Sequence, residues 1–257
     1  MDTHFNKSLA DGYHSSSQKI RVLTESWVQD NLFCPRCGCS KLLHFPNNSA
    51  VADFYCPECK NEYELKSKSG ALGHKIADGA YDTFIERITS SNNPDFFILS
   101  YDTQQLCVND LWIVPKHFFV PSVVEKRKPL SDNAKRAGWI GCNILFDEIP
   151  EQGRIHIIRD GIFLNKQSVM AQVRQASLLS VNNMDARGWL LDILNCINAI
   201  PYQTFSPAEI YSFENLLSEK HPQNHHIRPK IRQQLQMLRD KGFLEFVGQG
   251  VYQKKSV

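Results

Sequence analysis

The sequence has no apolar run that approaches the roughly 20 residues of a membrane helix. Met1 is followed by a polar stretch, so a basic segment leading into an apolar one is also missing. No internal repeat and no low-complexity block are present, which excludes repeat architectures. We therefore expect a soluble, intracellular protein that is neither secreted nor bound to a membrane.

An excess of charge of one sign is lacking as well. The 29 basic residues face 27 acidic ones, and the net charge of +2 identifies no partner. What is present is a globular composition, with 42% hydrophobic residues including 15 Phe, 8 Tyr and 4 Trp. This composition excludes disorder of the whole chain, and 257 residues allow one large domain or two smaller ones.

Five of the eight cysteines cluster between positions 34 and 59. They include two C-x-x-C pairs separated by 18 residues, Cys34 with Cys37 and Cys56 with Cys59. In a chain without a secretion signal, this spacing indicates a four-thiolate zinc site, not disulfides. Cys39 or His44 could replace a ligand locally. With four protein ligands the zinc is expected to be structural and not catalytic.

Two short stretches around the second cysteine pair alternate like strands, residues 51–55 and 62–66, and predict a hairpin with the zinc turn at its tip. Alternation places Glu64 and Lys66 on one face, with Asp53 opposite them. Asp53, Glu64 and the carbonyl of Leu65 offer the oxygen ligands that Mg²⁺ prefers. Lys66 could orient or help deprotonate an attacking water and offset developing negative charge. The trio therefore suits hydrolysis of a phosphodiester, and the alternative is a solvated strand face.

Elements around this hairpin predict an α/β core. Residues 20–28 have helical periodicity, and Glu25 lies off their apolar stripe, either as a supporting acid or as a solvated residue. Residues 76–88 are another predicted helix. Apolar strands are predicted at 96–101 and 111–115.

Six positive charges against two negative ones occur between positions 116 and 136, which suits a phosphate backbone, although a solvated loop would look similar. The residues predicted to contact DNA here are Lys126, Arg127, Lys128 and Arg136. Trp139 lies between Gly138 and Gly141, and it could contact a methyl group on a base. The alternative is a core tryptophan on a strand over residues 139–146.

The C-terminal part predicts a winged helix, with a domain boundary that gives units 1–183 and 184–257. Apolar residues from Trp189 to Pro201 keep helical spacing, and Ser206 begins a second helix with a capping box. A third helix from about Arg228 to Gly242 precedes a hairpin at 243–253 and is predicted to enter the major groove. Its predicted DNA contacts are Arg228, Lys230, Arg232, Gln233, Gln234 and Arg239.

These residues together resemble the PD-(D/E)xK nucleases, and among them the methyl-directed restriction endonucleases. The resemblance runs through the segments 17–19 (SQK), 23–25 (LTE), 51–56 (VADFYC), 64–68 (ELKSK), 78–81 (DGAY) and 136–144 (RAGWIGCNI), and through the closing third. One departure is Ala52, which stands where the family pattern has proline.

The resemblance implies that Asp53, Glu64 and Lys66 are catalytic and that both strands of double-stranded DNA are cut at GATC when its adenine carries an N6-methyl group. It implies methyl reading by both domains, and we expect a bacterial cytoplasmic location. No protein partner is implied, and a monomer is expected, although the sequence leaves the oligomeric state open. Two other functions are compatible with the residues alone. One is a zinc-containing winged-helix regulator without nuclease activity, and the other is a nuclease of the same class with another specificity.

Overall fold

The computed structural model describes residues 2–46 and 52–255, so Val51 of the predicted hairpin lies outside the described residues. The helices and strands of the N-terminal part are α1 (Ser16–Asn31), β1 (Leu43–His44), β2 (Phe54–Tyr55), β3 (Glu62–Ser69), β4 (Lys75–Ala80), α2 (Tyr81–Thr89), β5 (Asp95–Asp102), β6 (Cys107–Val114), β7 (Val124–Lys126), β8 (Gly141–Leu145), β9 (Ile155–Arg159), β10 (Ile162–Phe163) and α3 (Lys166–Ser177). The predicted helix at 20–28 is confirmed as the middle of α1.

Among the described residues, seven strands form the main sheet in the order β1-β2-β3-β5-β6-β9-β10. Neighbours are antiparallel except β3 and β5, which run parallel. Strand β5 is almost wholly buried, as its near-continuous apolar sequence requires of a central strand. Both strands predicted from apolar runs are confirmed, and β6 ends at Val114 because Pro115 has no N–H for the ladder.

The predicted helix over residues 76–88 is wrong in its first half. Residues 75–80 form β4, which pairs antiparallel with β8 in a second sheet of order β4-β8-β7, and only from Tyr81 does helix α2 begin. Burial of Ile76 with exposure of Ala77 follows the period of two of a strand. Pairing with β8 makes these residues a strand. The sequence could not predict this, because the helical spacing of apolar residues continues from α2 back into β4.

The C-terminal part contains α4 (Met184–Ala199), β11 (Thr204–Phe205), α5 (Pro207–Tyr211), α6 (Glu214–Lys220), α7 (Ile227–Asp240), β12 (Leu244–Gly248) and β13 (Val251–Lys254). Its strands pair in the order β11-β13-β12. Helix α5 begins where the sequence predicts, because the Glu209 carboxylate accepts a hydrogen bond from Ser206 N at 2.7 Å. The predicted second helix is divided into α5 and α6, and the helices with the β12–β13 wing confirm the winged-helix fold.

The two parts of the chain contact each other through polar side chains and a continuous apolar core. Asn195 Nδ2 donates to Glu148 O at 2.7 Å, and the amides of Gln152 and Asn198 exchange hydrogen bonds of 3.1 Å. Within the described residues, every helix is too short or too polar to cross a bilayer.

Candidate functional site

Four cysteine sulfurs converge between the turn after α1 and the β2–β3 hairpin. The Sγ atoms of Cys34, Cys37, Cys56 and Cys59 all lie within 4.8 Å of one another. Cys34 and Cys59 are 3.6 Å apart, and Cys37 and Cys56 are 3.5 Å apart. Sulfurs bound tetrahedrally to zinc at about 2.3 Å are about 3.8 Å apart, so the cluster fits the predicted structural ion.

Two tight backbone turns direct the cysteine sulfurs toward one point. Gly38 follows the first pair with φ +82° and donates to Cys34 O at 2.8 Å, and Lys60 follows the second pair with φ +61° and donates to Cys56 O at 3.0 Å. A Cβ on Gly38 would lie 2.9 Å from the end of the flexible Met170 side chain, which can shift, so the positive φ is the reason for glycine there. Each turn therefore closes in the same way around its cysteine pair.

Neither alternative ligand belongs to the cluster. Cys39 Sγ lies 3.4 Å from Lys41 O, and His44 Nε2 lies 3.1 Å from Glu25 Oε2. Glu25 also accepts from Arg21 Nε at 2.6 Å. Glu25 is thus a paired acid and not a free one.

A buried carboxylate attaches the cysteine cluster to the main sheet. Asp95, whose side chain is 0% exposed, accepts hydrogen bonds from Arg36 Nε at 2.6 Å and from the second guanidinium nitrogen at 2.9 Å. It also accepts from Asn61 Nδ2 and from Lys116 N, both at 2.8 Å. Arg36 lies between the first two cysteines and Asn61 follows the last, so one side chain holds both turns against β5 and β6. The sequence shows no signal for this contact, because the partners are far apart in the chain.

The predicted acidic residues line one cleft of about 620 Å³ beside α2. Asp53, Glu64 and Lys66 are among its lining side chains, so the structure brings the predicted trio together. Asp53 Oδ2 accepts from Leu65 N at 2.7 Å. Burial raises the pKa of Asp53, and the charges of Glu64 and Glu25 raise it further against the opposing effects of Leu65 N–H and Lys66.

Lys66 projects from β3 into this cleft on the same side as Glu64. Its Nζ lies 2.5 Å from Glu64 Oε1 and 2.6 Å from Asp78 Oδ1. Burial alone would lower the pKa of Lys66, but the two carboxylates outweigh it and the pKa is raised. Lys66 therefore stays charged, and Asp78 is an acidic member of the cleft that the trio pattern misses.

Trp139 lies in the loop before β8, not on the strand, since β8 begins at Gly141. The strand predicted from residue 139 is wrong at its start, and the half-buried ring does not belong to the core. A Cβ on Gly141 would lie 2.8 Å from the Trp139 ring, so glycine is required for this close approach. The Arg136 guanidinium carbon lies 4.6 Å from the ring centroid, and a second such pair joins Lys126 to Tyr81 at 4.8 Å.

The other predicted DNA contacts in this region, Arg127 and Lys128, directly follow β7 and are exposed. Basic groups thus surround two partly covered aromatic rings, those of Tyr81 and Trp139. Tyr81 is a member of this surface that the sequence analysis did not select. Its position at the start of α2 depends on the β4–β8 pairing.

Helix α7 turns one polar face outward. Arg228, Arg232, Gln233 and Arg239 are exposed, and Lys230 is half-buried with its Nζ 5.9 Å from the Trp189 ring. Arg228 pairs with Glu214 at 2.8 Å, and Arg239 pairs with Asp240.

Gln234 does not belong to this face, and its prediction as a DNA contact is wrong. It is 0% exposed. Its spacing of three from Ile231 and four from Leu238 places it on the buried stripe, and this period was the signal that could have excluded it.

Comparison with known families gives two matches that together span nearly the whole chain. Residues 1–182 match the family model described as DpnI, Dam-replacing family, and residues 185–254 match the Dam-replacing HTH domain. The first match contains the cysteine cluster and the acidic cleft. The second contains α7.

Proposed function

Since this chain belongs to the DpnI, Dam-replacing family and is a methyl-dependent restriction enzyme that binds DNA, we propose that it hydrolyses both strands at GATC sites whose adenine is N6-methylated. The observation that carries the proposal is the convergence of Asp53, Glu64 and Lys66 in one cleft. A regulator that only binds DNA has no use for such a trio. We assign the nuclease to residues 1–183 and the second DNA-binding unit to residues 184–257.

The catalytic metal in this proposal is Mg²⁺, held by Asp53, Glu64 and the carbonyl of Leu65. Hard carboxylate and carbonyl oxygens are the donors that Mg²⁺ prefers, and the two acids line the same cleft. When bound, the ion would supply Lewis-acid chemistry for the scissile phosphate and the attacking water.

Lys66 contacts the attacking water and stabilises the negative charge that develops on the phosphate. Because its ammonium is kept protonated by neighbouring carboxylates, it donates hydrogen bonds and does not serve as a free base. It orients the attacking water toward phosphorus and offsets negative charge on the phosphate oxygens.

We assign methyl readout in the nuclease unit to Trp139. Its half-buried ring lies beside the Arg136 guanidinium, so it offers an apolar surface next to a charge that suits a phosphate backbone. Burying one methyl group is worth about 0.8 kcal/mol, or about fourfold in affinity. A palindromic site presents two methyl groups, and a second reading unit adds its own free energy to the discrimination.

The second reading unit in this proposal is the winged helix, with α7 in the major groove. Its exposed Arg228, Arg232 and Arg239 suit phosphates and guanine, and Gln233 suits an adenine edge. Methyl preference of this unit rests on the family resemblance, whereas DNA binding rests on its charge.

Digestion of methylated and unmethylated copies of one plasmid, with Mg²⁺ or with EDTA, tests the proposal. We expect double-strand cuts of the methylated plasmid in Mg²⁺ alone. Equal cutting of both plasmids would contradict the methyl requirement, and nicks without linear products would contradict cleavage of both strands.

A variant pair tests the catalytic assignment. Asp53→Ala is expected to reduce the cleavage rate by at least about 100-fold, since it removes a metal ligand, and to leave the Kd for methylated duplex within a few-fold. Asp82→Ala removes an exposed carboxylate from the first turn of α2 and serves as the matched control. An Asp53→Ala protein that cuts like this control would overturn the assignment.

A further inference from the structure

The ammonium of Lys66 forms ion pairs with two carboxylates, which belong to different strands. Glu64 lies two residues away on β3, whereas Asp78 belongs to β4 of the second sheet. The Nζ–oxygen distances are 2.5 Å and 2.6 Å, and the Phe84 ring centroid lies 5.8 Å away. Lys66 thus occupies a defined position that neither strand would create alone.

A β-bulge directs Asp78 to this position. The pairing of β4 with β8 shifts register between Asp78 and Ala80, and Gly79 is the extra residue. Gly79 N donates to Asp78 Oδ1 at 2.7 Å, so the oxygen that faces Lys66 is fixed from its own backbone as well. Bulges re-aim a side chain in this way next to active sites.

Asp78 lines the cleft, and its second carboxylate oxygen has no partner among the described residues. Asp78 is among the lining residues, its side chain is 8% exposed, and Oδ2 is buried with no hydrogen-bond partner in the described part of the chain. An unpaired buried acceptor destabilises the folded protein, and such a feature calls for a functional explanation.

We propose that Asp78 is the positioning residue that keeps Lys66 in place for catalysis. The inference rests on the proposed function. Glu64 is assigned there as a metal ligand, so part of its charge is used by the cation when the site is loaded. Asp78 is outside that ligand set, and it therefore remains the anionic partner that restrains Lys66 against repulsion from the metal.

A double-mutant cycle tests this role. Asp78→Asn keeps the shape and removes the charge, and we expect kcat on methylated duplex to fall at least tenfold with KM within twofold. In a Lys66→Met background the same change should cause no further loss, because Asp78 acts through the ammonium. Asp78→Glu should recover part of the rate. Additive losses in the cycle, or an unchanged kcat in Asp78→Asn, would overturn the proposal.

Acetylation of the protein without DNA or metal gives a readout independent of cleavage. Mass spectrometry of the peptides that contain Lys66 and Lys68 measures their relative labelling. Lys68 is the internal control because it forms no ion pair among the described residues. Release of Lys66 in Asp78→Asn should raise the Lys66 to Lys68 labelling ratio at least threefold.

A reduced kcat with an unchanged labelling ratio would mean that Asp78 is merely structural, and would overturn the proposal. Should Asp78→Asn fail to fold by circular dichroism, Asp78→Glu serves for both measurements, with a smaller shift in the same direction expected. Failure of the parent enzyme to cut methylated DNA would refute the proposed function, and the labelling result would still decide whether Asp78 holds Lys66.

Discussion

Replacement of Asp95 by alanine tests how the cysteine cluster is attached to the sheet. The change removes an acceptor of four hydrogen bonds, at 2.6, 2.9, 2.8 and 2.8 Å. It leaves the Arg36 guanidinium and the Lys116 amide without their partner. Breaking a buried ion pair in this way costs about 3–5 kcal/mol.

The lower end of that range applies here. The Arg36 side chain is 27% exposed, so the released guanidinium can turn toward water, whereas the carboxylate has no exposure at all. A loss of about 3 kcal/mol lowers the thermal midpoint by about 6–12 °C in a protein of this size. Release of zinc to a chromogenic chelator should also be faster, because Arg36 lies inside the first cysteine turn.

Thermal unfolding in zinc-containing buffer and the zinc-release rate are the two assays. Glu245→Ala is the matched control, because Glu245 is 57% exposed and pairs with Lys255 only at 3.5 Å. Its effect should stay within about 0.5 kcal/mol. If Asp95→Ala unfolds within 2 °C of this control and retains zinc equally well, the reasoning about the buried carboxylate is refuted.

Three further predictions concern the core, acid stability and methyl reading. Gln234→Leu should stabilise the protein by about 1 kcal/mol and leave DNA affinity unchanged, since both amide atoms are buried without partners among the described residues; weaker DNA binding would restore Gln234 as a contact. Burial lowers the pKa of His117 to about 4. His117 is protonated below about pH 6.5 in the unfolded chain but only below about pH 4 in the folded chain. The free energy of unfolding is therefore largest above pH 6.5 and falls by about 2 kcal/mol at pH 5. Urea unfolding at pH 7 and pH 5 measures this loss, and His117→Gln should reduce it; an equal loss in both proteins would contradict the assignment. Trp139→Ala should lower the ratio of cleavage rates on methylated and unmethylated plasmid at least fourfold with little change in stability, and a preserved ratio would place methyl readout elsewhere.

Features that depend on neighbours in the chain were predictable from the sequence. The C-x-x-C pairs define the zinc cluster because each pair is a local turn with its own sulfur spacing. The capping box at Ser206 locates α5, and the alternation of β3 places Glu64 and Lys66 on one face. In these cases periodicity and turn chemistry over a few residues carry the information.

Features that depend on pairing between distant segments were decided by the tertiary structure. Residues 75–80 form a strand because their backbone hydrogen-bonds to β8, and this pairing places Asp78 next to Lys66. Asp95 likewise joins partners 59, 34 and 21 residues away in the chain. Long-range hydrogen bonds and burial decide such contacts. Their free energies exceed the differences in local helix and strand propensity on which a prediction from sequence relies.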